Sequence, residues 1–178
     1  MRGGLRSWKR GAECRGIRNA ISYAFDGTCD AHRAPAGVES AERYGAINKA
    51  PAARFVAVAG ELTRDELDAP ALRRWIQGQY PDTDEPRGLM HRSENTDLLL
   101  DGTINFPKSY SVAALLDPEL AYEFELLQDR MRDRTIRLWQ RELNARRGRG
   151  GRIREDIARL EVVELQHRRS RALDPHIH

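Results

Sequence analysis

Apolar positions along the chain change period several times, and each change marks an element. "GIRNAISYAF" (16–25) places Ile17, Ile21, Ala24 and Phe25 on one side of a short helix. The Gly-, Ala- and Asp-rich stretch from Asp26 to Gly45, with Pro35, predicts loop. "ARFVAVAG" (53–60) is apolar and β-branched and suits strand or helix. "LTRDELDAPALRRWIQGQ" (62–79) predicts a helix opened by Thr63, with Glu66 three residues on completing a capping box. "YPDTDEPRG" is turn-rich loop, and "TDLLLDGTINF" predicts a strand stopped by Pro107. "SYSVAALL" begins a helix, and "DPEL" restarts one with Asp117 as N-cap and Pro118 in the first helical position. From there Leu120, Phe124, Leu127, Met131, Leu138 and Trp139 keep a helical stripe as far as Leu143. "RRGRGGRIRE" is the turn of a hairpin. "ARLEVVELQHRRS" is then a strand with Leu160, Val162 and Leu165 apolar, bringing His167 near its end. There is no internal repeat and no linker, so a single domain is expected.

Composition narrows the class. With 178 residues, 40% of them apolar, the chain has enough apolar side chains for one core. Mean hydropathy of -0.69 and 32% charged residues indicate a soluble protein, and no apolar run reaches membrane-spanning length. The basic N-terminus is followed by no apolar signal core. Cys14 and Cys29 fit no metal spacing and are expected as reduced thiols in a cytoplasmic protein. The net charge of +3 is unevenly spread: residues 1–18 carry +5, residues 19–129 carry -9, and residues 130–178 carry +7. Of the 30 cationic residues only Lys9, Lys49 and Lys108 are lysine. Arginine forks onto phosphates and stacks on bases, so its excess beside a histidine cluster favours a nucleic-acid partner over a merely solvated face.

Three of the five histidines lie in the closing "HRRSRALDPHIH" (167–178), two of them as His176-x-His178. On a strand that spacing turns both imidazoles to one face. Neutral imidazole suits Mn, Co, Ni, Cu or Zn better than Mg, which prefers oxygen. The intervening arginines point to an anionic ligand.

"HRRSRALDPHIH" resembles the signature of conjugative relaxases of the TrwC/TraI type (MobF class), members of the HUH endonucleases. "DGTINFPKSYSVAALLDPEL" resembles that family's second block and the long helix after it, and "NAISYAFDG" resembles its segment bearing the nucleophilic tyrosine. The resemblance is closest to the actinobacterial branch and is weak between residues 30 and 60. It puts Tyr23 at the position of the first nucleophilic tyrosine, and Asp101 at the aspartate that hydrogen-bonds a metal-bound histidine. His167 falls at the first metal ligand and His178 at the second. His176 then occupies a variable position, and the third ligand of the family's pattern would fall two residues after His178. A slipped strand register offers another arrangement, in which His167, His176 and His178 coordinate together. The tyrosine pair that many relatives have shortly after the first tyrosine is replaced here by "TCDAHR".

What the resemblance implies is an α+β fold: a central antiparallel sheet bearing the histidines, with helices on one face. It also implies a divalent metal, Mg or Mn in use and Ni, Co, Zn or Cu acceptable to the imidazoles. The activity implied is strand-specific nicking of plasmid DNA at an origin of transfer through a 5′-phosphotyrosine, alongside other relaxosome proteins. Lys108 and the turn arginines Arg146, Arg147, Arg149 and Arg152 would track the DNA backbone, and Trp8 is a candidate for base stacking. For Trp75 and Trp139 the helical pattern favours core. Against the full family pattern the chain reads as a truncated catalytic domain. The rival class is a non-enzymatic, arginine-rich binder of single-stranded DNA that has lost its metal site.

Overall fold

The computed structural model describes residues 2–11, 17–18, 21, 52–88 and 93–166. They form an α+β fold of seven strands and three α-helices, organised as two compact units. Its antiparallel strands form three separate ladders among the described residues. Of the expected first helix, Ile17, Arg18 and Ile21 are described; all three are helical and Ile17 is fully buried.

One unit contains residues 1–52, 67–112 and 165–178. Its frame is β1 (Arg2–Lys9) paired antiparallel with β4 (Asp97–Asn105), from Arg2 opposite Asn105 to Trp8 opposite Leu99. The register then shifts, and Lys9 faces Asp97, leaving Leu98 as the extra residue of a bulge. Helix α1 (Ala69–Ile76) buries Leu72, Trp75 and Ile76. Arg87 fastens the loop that follows: its Nε donates to the Gln79 carbonyl (2.9 Å), its Nη2 to that of Trp75 (2.5 Å), and its guanidinium lies 5.2 Å from the Trp75 ring centroid. Helix α2 (Lys108–Leu116) starts in this unit, directly after Pro107.

The expected helix over 62–79 is corrected in its first half. Residues Glu61–Leu67 are strand β3, hairpinned to β2 (Ala52–Val58) through Ala59 and Gly60, both at positive φ (50° and 85°). Such a two-residue turn twists in the sense of its strands, and pairing with β2 overrides the local capping box. Thr63 Oγ1 instead donates to the Val56 carbonyl at 3.4 Å. The helix begins at Ala69, seven residues after the expected start, where Asp68 accepts from the Ala71 backbone N–H at 2.7 Å, with Pro70 in the first turn.

The second unit contains residues 53–66 and 113–164. Its sheet has the order β3-β2-β7, with β7 (Arg159–Glu164) antiparallel to β2 from Ala53 opposite Glu164 to Val58 opposite Arg159. The ambiguous "ARFVAVAG" is therefore a strand. Period-two alternation sends Ala53, Phe55 and Ala57 into a core with Ile136 of α3 (Pro118–Glu142), flanked by Leu62, Leu160 and Val162. Helix α3 is capped as expected: Asp117 accepts from the N–H groups of Glu119 (2.8 Å) and Leu120 (3.4 Å). The other face of β2 presents Arg54, bidentate to Asp65 of β3 and 3.8 Å from Glu161 of β7. After α3, β5 (Asn144–Arg147) and β6 (Ile153–Asp156) form the expected hairpin.

Candidate DNA and metal site

The chemistry expected of this chain falls in three places. Tyr23, His167, His176 and His178 lie outside the described residues, as do His32 and His91. Strand β7 ends at Glu164, three residues before His167 in the sequence and earlier than expected, with Leu165 and Gln166 outside it. Among the described residues no group of three histidine, cysteine or carboxylate side chains is placed to hold a metal ion.

Asp101 is described, half-buried in the middle of β4, with Arg6 opposite it in register. Its Oδ2 accepts a hydrogen bond from Trp8 Nε1 at 3.3 Å. Nearby on the same ladder, Asp97 accepts from Ser7 and pairs with Lys9 at 2.5 Å. Those two donors, Lys9 first, hold the Asp97 carboxyl below its ordinary range. The bulge separates the two carboxylates by face: Ser7, Lys9 and Asp97 interact on one side, Trp8 and Asp101 on the other. A carboxylate held by a neutral N–H keeps acceptor capacity for an imidazole N–H, and this is the group that fixes the tautomer of a metal-ligating histidine. The acceptor capacity of Asp101 therefore fits the outer shell of a histidine metal site. Lys108 opens α2 seven residues later, exposed and directly after Pro107.

The third place is the β5/β6 hairpin. Its register sets Arg146 opposite Arg154 and Arg147 opposite Ile153, with Arg149 and Arg152 in the turn. The side chains of Arg146, Arg149, Arg152 and Arg154 are exposed. Directly opposed like charges destabilise an antiparallel pair, so this ribbon is built around a charge that a polyanion would relieve. Gly148 makes the closure possible: its φ is +75°, and a Cβ there would meet Ile153 Cδ1 at 3.2 Å. Arg154, in the same "RRGRGGRIRE" stretch, stands level with Arg146 across the strands and so joins the arginines named from the sequence. Trp75, expected in the core, is buried, and Trp139 is half-buried on α3.

Comparison with known proteins places this geometry in a family. No curated protein matches the chain. Its fold matches three solved structures of TrwC. With TrwC complexed with a 27-mer DNA comprising the recognition hairpin and the cleavage site, the TM-score is 0.59 at 21% identity, over 99% of this chain and 52% of that one. With the conjugative relaxase TrwC in complex with oriT DNA, the metal-free structure gives 0.60 at 21% identity and the metal-bound structure 0.58 at 22%. Each of those two covers 99% of this chain and 54% of the other. The chain thus spans about half the length of these structures, and at that identity the likeness concerns the fold. The family model for TrwC relaxase matches residues 32–178, most of the sequence, and the chain belongs to the TrwC relaxase family.

Proposed function

We propose that residues 1–178 act as one relaxase catalytic domain, of the actinobacterial branch, that nicks one strand of plasmid DNA at an origin of transfer. The observation that carries this reading is the family match over residues 32–178, a span that includes Asp101, Lys108, His167 and His178. Tyr23 rests on the "NAISYAFDG" resemblance, which precedes that match.

In this mechanism the Tyr23 phenolic oxygen attacks the scissile phosphorus. The bond from phosphorus to the 3′ oxygen breaks, the 3′ oxygen takes up a proton as a free hydroxyl, and the 5′ phosphate stays on Tyr23 as a phosphodiester. A phenol with its pKa near 10 is a poor nucleophile at neutral pH. A divalent ion, Mg or Mn in the cell, held by His167 and His178 or with His176, supplies electrophilic activation of the phosphate when bound. Asp101 holds the tautomer of one of these histidines, and Lys108 with the β5/β6 arginines tracks the DNA backbone. Origin-of-transfer DNA is the partner, with relaxosome proteins beside it, in the cytoplasm. No helix among the described residues is long and apolar enough to cross a membrane.

The test is covalent capture. The chain is incubated with Mn and a library of single-stranded oligonucleotides carrying an inverted repeat and a randomised 3′ flank. Bands that survive SDS are then sequenced. Enrichment of one flank sequence in the protein-linked 3′ fragment, joined to the protein through its 5′ phosphate, supports the reading. Adducts absent at every metal concentration, both from this chain and from a version continued with a histidine two places after His178, reject it. The exposed arginine ribbon supports a second reading, a DNA-binding remnant without nuclease activity. Salt-dependent DNA binding with neither metal binding nor adduct would select it.

A further inference from the structure

We infer that Trp8 is the positioning residue for the Asp101 carboxylate, an inference that rests on the proposed role of Asp101 toward the site histidines. Arg6 stands opposite Asp101, and Trp8, two residues on, stands opposite Leu99. Period two places Trp8 and Asp101 on the same face of the ladder, as diagonal neighbours within reach of an aromatic side chain. The indole uses that reach: Nε1 donates to Oδ2 at 3.3 Å.

Three features make this contact more than packing. An indole N–H is a single donor with no acceptor atom, so it pins one carboxylate oxygen and leaves Oδ1 for a second donor. It does not ionise, so its grip on Asp101 is the same across the working pH range. The bulge after Trp8 also sends the neighbouring donors elsewhere: Ser7 and Lys9 both engage Asp97. A regular ladder would put Asp97 on the Asp101 face, four residues away along the strand, and carry the Lys9 pairing out of register. The irregularity thus sorts an ion pair to one face and a carboxylate with a neutral donor to the other. A carboxylate that must select one imidazole tautomer needs its plane fixed, and Trp8 is the described side chain that fixes it.

The test reads orientation directly, with neither metal nor cleavage required. Long-range proton–nitrogen spectra at pH 8 report the tautomers of His167, His176 and His178, assigned by single substitutions to Gln. In the wild-type chain one of these is expected in a single tautomer, and Asp101→Ala should turn it into a mixture. Trp8→Phe keeps a ring and removes the N–H. It should produce the same mixture, and it should add nothing in the Asp101→Ala background, since it acts through that carboxylate. A second measurement stands even where Trp8→Phe fails to fold: in Asp101→Ala the Trp8 indole N–H resonance moves upfield. Trp8→Phe with a wild-type tautomer pattern, or an indole resonance unmoved by Asp101→Ala, overturns the inference and leaves the relaxase reading standing. Asp101→Ala with no effect on any histidine overturns both.

Discussion

Arg132 lies on α3 with its guanidinium 4.2 Å from the centroid of Phe55, and it gathers three carboxylates: Asp129 (2.5 Å), Asp133 (2.9 Å) and Glu164 (3.2 Å). Glu164 is the costly member. Burial raises its pKa, outweighing the Arg132 charge that lowers it. A carboxyl whose pKa rises on folding binds its proton more tightly in the native state. Its contribution to stability is therefore full below the ordinary carboxylate range and is lost as pH rises through the raised value. Glu164→Gln, which imitates the protonated form, should remove that part of the pH dependence. Urea melts at pH 4 and pH 7.5 check it: the wild-type difference should shrink in the variant, and an unchanged difference would assign the slope to other groups. At the same scale, Tyr23→Phe removes one oxygen and keeps the ring. It should abolish the SDS-stable DNA adduct while leaving DNA binding nearly intact, because the ring stays and only the attacking oxygen goes. An adduct that persists in Tyr23→Phe would move the nucleophile elsewhere, Tyr44 being the next tyrosine to test.

Elements were legible where a local signal agreed with the packing. Asp117-Pro118 announced the start of α3, the stripe from Leu120 to Trp139 its body, and Pro107 the end of β4; all are present. Strand β3 was not legible. Its pattern is exposed along almost its whole length, so no alternation marked it, and its turn is Ala59-Gly60 rather than a strong hairpin dipeptide such as Asn-Gly. The long-range pairings were equally silent: Trp8 and Asp101 are 93 positions apart, and only the ladder register brings them together. Tyr23 and the histidines are singled out by the family blocks and lie outside the described residues, whereas spacing alone leaves His176-x-His178 open. The β5/β6 ribbon was foreseen as a hairpin, and its register sets Arg154 of that stretch level with Arg146. Changing Arg146, Arg147, Arg149, Arg152 and Arg154 together to Ala should flatten the salt dependence of single-stranded DNA binding. The slope of log K against log salt should fall by about 0.7 for each phosphate that is no longer neutralised, so by roughly 3 for five arginines of which four reach phosphate. An unchanged slope would shift the DNA track to the N-terminal arginines.

For the whole molecule, charge and expected chemistry share one stretch of sequence: residues 130–178 carry +7 and include the arginine ribbon as well as His167, His176 and His178. The strength of the proposed metal site depends on how many imidazoles converge. In the family register a polypeptide of these 178 residues brings two, His167 and His178, with water completing the shell. Removing an outer-shell partner already costs about 10- to 100-fold in metal affinity, so a missing imidazole ligand costs at least that much. The C-terminal carboxylate of His178 could offer Mn an oxygen, but it is carried on the backbone and not where a third imidazole two residues further on would stand. Calorimetry should therefore show weak binding of Mn and Ni to the 178-residue polypeptide and slow or absent nicking. A version continued by a few strand residues, with histidine two places after His178, should bind at least about tenfold more tightly by the same reasoning. Equal and tight binding by both would mean that His176 coordinates alongside His167 and His178. The strand register would then be slipped by comparison with the family, and Tyr23 would need a correspondingly different approach to the phosphate.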